Sequence, residues 1–134
     1  MCNKSLIYTA QTNTTTVMDG DVIPLGTAQR RRGCCIKQDG NGIAICGDGY
    51  FAVDVSVVAE SSSTDPISIN LQKNGVDVIG ATSAVTPAGG GVTVALGFSV
   101  IVANSCKNSN SLLSVVLNGA DAEIENMAVS VEEL

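Results

Sequence analysis

Apolar and polar residues alternate along most of the chain, and short segments rich in Gly, Asn, Asp and Ser separate the alternating runs. The clearest case is Ile67–Lys73, which is followed by the dipeptide Asn74-Gly75 and then by Val76–Ile79. A period of two residues places successive side chains on opposite faces of a strand. Asn-Gly between two such runs favours a type I′ turn, because both central residues of that turn need positive φ. These residues therefore predict a β-hairpin.

The turn also predicts the register of this hairpin. The expected cross-strand pairs are Lys73 with Val76, Gln72 with Asp77 and Leu71 with Val78. A polar residue then lies beside a polar one and an apolar residue beside an apolar one, so the register and the pattern agree. The hairpin indicates antiparallel β structure with one buried face, and it favours a scaffold over a catalyst.

The same pattern continues through the rest of the chain, and almost nothing in it indicates a helix. The other predicted strands are Ser5–Thr9, Val22–Leu25, Cys34–Gln38, Ile43–Cys46, Tyr50–Ala59, Val92–Ala103, Leu112–Leu117 and Glu123–Glu132. About nine or ten short strands separated by turn residues are typical of a β-sandwich or a barrel. A chain of 134 residues fits one domain with its own core.

The composition changes this picture in two ways. Hydrophobic residues make up 45% of the chain and charged residues 15%, whereas aromatic residues make up 3%. The core must then consist of Val, Ile, Leu and Ala, and a surface so poor in charge indicates that partners cover part of it. The net charge of −6 argues against binding to nucleic acid, which needs a basic surface.

Neither a secretion signal nor a membrane segment is predicted. The start Met1–Ser5 lacks the apolar region and the cleavage site of a signal peptide. No stretch approaches the roughly 20 apolar residues that a membrane helix needs. We therefore expect the chain to be made in a cytoplasm, with its cysteines mostly reduced at first.

The chain also lacks the residues of most catalytic sites. It contains no histidine, which removes the Ser-His-Asp triad, the Cys-His dyad and most zinc sites. The segment Asp39–Gly42 resembles a calcium loop, but the twelfth position of such a loop would be Tyr50 and not the required Glu. We predict no catalytic, cofactor-binding or metal-binding residues, and we do not expect an enzyme.

Two local features bear on function. The run Arg30-Arg31-Arg32 holds three of the seven positive charges, and it is either a solvated loop or a docking patch for an acidic partner. Cys34 and Cys35 lie across the second predicted hairpin from Cys46, but neighbouring residues point to opposite faces, so at most one of them meets Cys46. These three cysteines are the candidate cluster for buried thiols, a disulfide formed after release from the cell, or a metal site.

Two segments resemble the C1q/TNF-like jelly rolls. Gly49–Val57 is similar to the Gly-x-Tyr-x-x opening of a strand in that family, and Ile69–Gly75 is similar to its Leu-x-Lys-Asn-Gly hairpin. A long strand, a polar turn and a closing pair of strands follow in the order of the family. The resemblance implies an all-β, antiparallel two-sheet jelly-roll sandwich over residues 1–134, assembled as a homotrimer.

A second resemblance covers most of the chain. Asn3–Ala10, Arg32–Cys34 and Met127–Leu134 resemble small proteins encoded by phages and prophages of gut Firmicutes. The family trimer would place the first and last strands near the three-fold axis. On that basis the candidate interface residues are Leu6, Tyr8, Met127, Val129 and Val131, since stable interfaces are rich in apolar residues.

These resemblances lead to two functional hypotheses. The first is a non-enzymatic virion protein that decorates the capsid surface as a trimer and binds the major capsid protein. The N-terminal segment of about 20 residues, extended or in contact with a subunit or the shell, and Arg30–Arg32 are the candidate docking elements. The second is a receptor- or glycan-binding module of a phage head or tail fibre, which would bind a ligand on the host surface.

Overall fold

The computed structural model describes residues 4–104 and 110–134, which fold into two antiparallel β-sheets packed face to face. The strands are β1 (Leu6–Gln11), β2 (Thr15–Val17), β3 (Thr27–Arg32), β4 (Ile36–Asp39), β5 (Gly42–Ile45), β6 (Gly49–Ser61), β7 (Ile67–Lys73), β8 (Val76–Val85), β9 (Thr93–Asn104), β10 (Ser111–Asn118) and β11 (Ala122–Glu133). No helix that could cross a membrane occurs in these two ranges. The predicted all-β, antiparallel two-sheet fold is confirmed.

The order of the strands interleaves the two sheets along the chain. One sheet has the order β3-β1-β11-β6-β9, with β2 beside the far end of β11, and the other has the order β4-β5-β10-β7-β8. The first and last strands, β1 and β11, are therefore neighbours inside the six-stranded sheet. From residue 4 onward, the N-terminal segment is part of the sandwich and does not extend away from it.

Alternation in the long strands supplies the core. On β6 the side chains of Phe51, Val53 and Val57 are buried between the sheets, as their period of two predicts. The other sheet covers them with residues such as Ile69 and Leu71 of β7. The described core is aliphatic apart from Phe51 and a half-buried Phe98, in agreement with the low aromatic content.

The Asn-Gly turn has the predicted geometry. Asn74 has a φ of 55° and Gly75 a φ of 82°, and the pairs Lys73–Val76 and Gln72–Asp77 form as expected. The Asn74 side chain also binds a third strand, because its Oδ1 accepts a hydrogen bond of 2.9 Å from the backbone N–H of Leu112 on β10. The turn is thus fixed to the sheet as well as to its own hairpin.

The predicted register is wrong beyond these two pairs. Residues 78–81 lie opposite Leu71 alone, because pairing resumes only at Asn70 with Thr82. Gly80 has a φ of +85° in this bulge, and Ile79 is 97% exposed. The bulge buries Ala81 and leaves Ile79 outside, so the apolar spacing of β8 did not reveal which residues face the core.

The N-terminal region departs most from the prediction. The predicted strand Val22–Leu25 makes a single bridge, between Val22 and Val116, although Ile23 and Leu25 are buried. The segment Thr27–Arg32, in which no strand was predicted, is the edge strand β3, paired with β1. Its residues are mostly exposed, so pairing with β1 and not an apolar pattern makes it a strand.

Candidate subunit interface

The outer face of the six-stranded sheet carries small side chains in its central rows. Residues paired across antiparallel strands share a face, and one row contains Tyr8, Ser130, Asp54 and Ser99, while the next contains Ala10, Ala128, Ser56 and Gly97. A third row adds Ala52 and Ile101. We call these ten residues the small-residue face: Tyr8, Ala10, Ala52, Asp54, Ser56, Gly97, Ser99, Ile101, Ala128 and Ser130.

The small side chains of this face leave room for another surface to approach its backbone. Two shallow hollows of about 340 and 420 Å³ lie on it. At Gly97 a Cβ atom would lie 2.8 Å from the carbonyl oxygen of Val55, so this position has no room for a larger residue. Because small side chains leave the strands exposed, a partner can pack closely against them.

Two larger side chains and one carboxylate stand out on this face. Tyr8 is 39% exposed and Ile101 is 61% exposed. Asp54 lies between them and accepts a hydrogen bond from the hydroxyl of Ser99. Apolar side chains of this size in water favour association, since burying them gains roughly 25 cal/mol for each Å² of apolar area removed from water.

Three of the five predicted interface residues lie elsewhere. Met127, Val129 and Val131 are buried in the core of the subunit itself, so their assignment to a subunit interface is wrong. In the register of β1 and β11, Val131 pairs with the buried Ile7, whereas the exposed Tyr8 pairs with Ser130. On β11, Met127, Val129 and Val131 face the other sheet, and the residues between them face outward.

The other two predicted residues do lie on the outer side of the sheet. Tyr8 belongs to the small-residue face, and Leu6 is half-buried beside it, opposite Glu132. Prediction from the sequence missed Ile101 and the small residues of β6, β9 and β11. The alternation of β6 could have indicated these residues. If Val53 and Val55 face the core, their neighbours Ala52 and Asp54 must lie on the outer face of the sheet.

The three arginines of Arg30–Arg32 do not all lie on the same face of the sheet. Arg30 and Arg32 pair with Tyr8 and Leu6 and share the outer side of the sheet. Arg31 pairs with the buried Ile7, and its Nε donates a 3.2 Å hydrogen bond to the carbonyl oxygen of Ile36. The loop interpretation is therefore wrong. A docking role for the run stays a prediction, and Arg31 would enter it from a different side.

The three candidate cysteines lie together at one end of the sandwich, around a small hollow of about 60 Å³. Cys34 is exposed and disulfide-bonded. Of the alternatives for this cluster, buried thiols describe Cys35 and Cys46 only in part, because both are free thiols that are half-buried. Burial raises the pKa of the Cys46 thiol, and the neighbouring Cys35 raises it further.

In residues 4–104 and 110–134, no group of three or more Cys, Asp and Glu side chains could hold a metal ion. Every buried side-chain nitrogen or oxygen in the same ranges has a hydrogen-bond partner.

Comparison with known proteins places the fold. No protein-family model and no curated protein matches the chain. Among solved structures, murine APRIL at pH 8.5 superposes with a TM-score of 0.72 at 11% identity, covering 98% of this chain and all of that one. Eiger TNF from S. frugiperda gives 0.70 at 10% identity, covering 98% and 91% of the two chains.

A complement protein completes the comparison. The globular domain of zebrafish complement 1qA superposes with a TM-score of 0.69 at 6% identity, covering 96% of this chain and 94% of that domain. The class of protein is therefore a two-sheet jelly roll of the C1q/TNF-like fold. The predicted fold is confirmed, and identities this low carry the fold alone.

Proposed function

We propose that the chain forms a homotrimer through the small-residue face and works as a non-enzymatic binding module. The observation that carries this proposal is a face of Ala, Ser and Gly that leaves Tyr8 and Ile101 exposed. Exposed apolar patches mark interaction sites on soluble proteins, and Tyr8 and Ile101 supply the large exposed apolar side chains of this face. The family resemblance supports three copies, with β1 and β11 near the axis, and the face lies on the sheet that contains both strands.

An arginine on the small-residue face tests this assembly. Ala128 lies in its central row between Ala10 and Ser56, and we expect Ala128→Arg to convert the trimer to monomers at micromolar concentration. The reason is that three copies of the new charge would be buried without partners in the interface. Light scattering coupled to size-exclusion chromatography measures the molar mass directly.

The matched control places the same change on the other sheet. Ala84 is an exposed residue of β8 on the outer side of the five-stranded sheet, opposite Ser68. Ala84→Arg should keep the wild-type mass. A wild-type chain that is monomeric under all conditions, or equal behaviour of the two variants, would contradict an interface on the small-residue face.

We further propose that this trimer decorates the head of a phage. The likeness of both ends of the chain to phage and prophage proteins supports a virion role, and a three-fold assembly suits three-fold sites between capsomers. In that setting the partner is the major capsid protein, and the trimer is added after synthesis in the host cytoplasm. Binding that favours the assembled shell stabilises it by mass action.

The location and copy number on particles test the decoration role. We expect purified virions to carry the chain in many copies, in fixed proportion to the major capsid protein. Quantitative mass spectrometry of gradient-purified particles measures this ratio, and a cryo-EM map shows the sites. Recovery of the chain only from the lysate of infected cells would contradict a capsid location and leave the trimer proposal standing.

One observation favours the alternative of a glycan- or receptor-binding module. A hollow of about 430 Å³ is lined by Tyr8, Ala10, Thr12, Gln29 and Arg30. An exposed aromatic ring beside a guanidinium group is a combination that can stack on and hydrogen-bond to a sugar. Because Tyr8 and Ala10 also belong to the small-residue face, this hollow is open only where that face is not buried. Binding of the purified protein to a glycan array, lost on Gln29→Ala at unchanged molar mass, would favour this alternative over a purely structural role.

A further inference from the structure

Cys35 and Cys46 lie opposite each other where the β4–β5 hairpin opens. The last regular pair of that hairpin at this end is Ile36 with Ile45, and Cys46 then donates a 2.9 Å backbone hydrogen bond to the carbonyl oxygen of Cys35. The two cysteines therefore continue the antiparallel pairing by one position. The structure thus distinguishes Cys35 from Cys34 as the residue that faces Cys46.

The spacing of opposite residues in an antiparallel pair suits a disulfide. Their Cα atoms are about 4.5 Å or about 5.5 Å apart, depending on the hydrogen bonding of the pair. Both values fall within the range of roughly 4.4–6.8 Å found for disulfide-bonded cysteines. A pair at this position therefore has the Cα spacing that a disulfide requires.

The surroundings of the two thiols allow a reagent to reach them. Both side chains are half-buried and line the small hollow together with Lys37. The Cys34 sulfur, which is already part of a disulfide, lies 4.0 Å from the Cys35 sulfur. A chain that holds one disulfide at this point has two further thiols arranged beside it.

We propose that Cys35 and Cys46 are a redox-active pair that closes into a cross-strand disulfide when the protein meets a low-molecular-weight disulfide such as oxidised glutathione. The Cys35 thiolate attacks one glutathione sulfur, forming a mixed disulfide and releasing one glutathione thiolate. The Cys46 thiolate then attacks the Cys35 sulfur and releases the second glutathione. Two protein thiols are oxidised, one glutathione disulfide is reduced, and the two thiol protons pass to the released glutathione.

Closure would join β4 to β5 immediately before β6 begins. Gly47 follows Cys46, and its carbonyl oxygen accepts a 2.7 Å hydrogen bond from the Asn104 side chain at the end of β9. The cross-link would therefore fix a corner where strands of both sheets meet.

Peptide mapping tests the proposal, and serine variants then distinguish a link through Cys35 from a link through Cys34. Trypsin cleaves after Arg32 and Lys37, so Cys34 and Cys35 fall in the same peptide, 33–37, while Cys46 falls in 38–73. The protein is treated with oxidised glutathione, its remaining thiols are alkylated, and it is digested without reduction. We expect peptides 33–37 and 38–73 to become linked, and excess reduced glutathione to reverse the link.

Serine variants of the neighbouring cysteines form the matched controls. Cys34→Ser should keep the linked peptide, and Cys35→Ser should abolish it. No linked peptide in wild type, or a link that survives in Cys35→Ser and disappears in Cys34→Ser, would overturn the proposal. Circular dichroism in reducing buffer checks the fold of each variant. If a variant does not fold, fragmentation of the wild-type linked peptide between Cys34 and Cys35 gives the same decision.

Discussion

Replacement of Phe51 by alanine is expected to lower the free energy of unfolding by about 3–5 kcal/mol. Phe51 is 1% exposed and is the largest of the fully buried side chains in the described residues. It lies near the start of β6, opposite Val102 of β9 and Glu133 of β11, with a strand of the six-stranded sheet on either side. The surrounding core is aliphatic and belongs to rigid strands, so it should collapse only partly into the cavity.

Chemical denaturation of wild type and variant at the same protein concentration measures the difference, since the proposed assembly makes stability depend on concentration. The matched control is Ile79→Ala, which removes an apolar side chain that is 97% exposed on the bulge of β8. Its effect should lie within about 0.5 kcal/mol of zero. Similar losses for the two variants would show that the ring of Phe51 is not packed in the core.

The strand pattern predicted most of the sandwich because local and long-range requirements coincide there. In β6, a period of two gives Phe51, Val53, Val55 and Val57 to the core, and each pairs with a residue of the same phase on β9. The Asn74-Gly75 turn was equally predictable, because few dipeptides tolerate two consecutive positive φ values. Such features need no knowledge of distant parts of the chain.

The candidate interface was predicted less well, for a physical reason. Apolar character alone suggested Met127, Val129 and Val131, but a sandwich uses its most apolar phase for its own core. The outward phase of the same strand, Ala128 and Ser130, is only small and weakly polar. Its fitness for packing depends on neighbours such as Gly97, which come from strands distant in sequence and meet it only in the fold.

Pairing without an apolar pattern explains the remaining misses. The edge strand β3 is mostly exposed and polar, and β8 contains a bulge opposite Leu71. The alternation of apolar and polar residues predicts neither the edge strand nor the bulge. The role of Asn74 as a link to β10 is similar, because the contact to Leu112 spans 38 residues. Sequence patterns fix a residue's local conformation better than they fix its distant partner.

Replacement of Gly119 by alanine is the second change with a large expected effect. Gly119 lies in the turn between β10 and β11 and has a φ of +106°. Residues other than glycine rarely adopt this backbone conformation. An added Cβ would lie 3.1 Å from the carbonyl carbon of Pro66 and closer still to its oxygen, both of them backbone atoms. Backbone strain and overpacking each cost about 1–3 kcal/mol, so we expect a loss of roughly 2–6 kcal/mol.

Gly20 is a matched control from the same corner of the molecule. Its backbone N–H donates to the carbonyl oxygen of Leu117 at 2.7 Å, and the neighbouring Asp19 accepts a 2.8 Å hydrogen bond from the N–H of Gly119. Gly20 has a φ of +88°, but a Cβ there meets nothing within 4 Å. Gly20→Ala should therefore show the cost of positive φ alone, about 1–2 kcal/mol.

The difference between the two glycine variants isolates the contact with Pro66. Thermal and chemical denaturation of both variants at one protein concentration give the two losses on a common scale. A larger loss for Gly119→Ala means that the β10–β11 turn is packed against the backbone of Pro66, immediately before β7. Gly119 would then be required because a side chain at this position has no room beside that backbone. Equal losses would mean that the turn moves aside at little cost and that positive φ accounts for the glycine by itself.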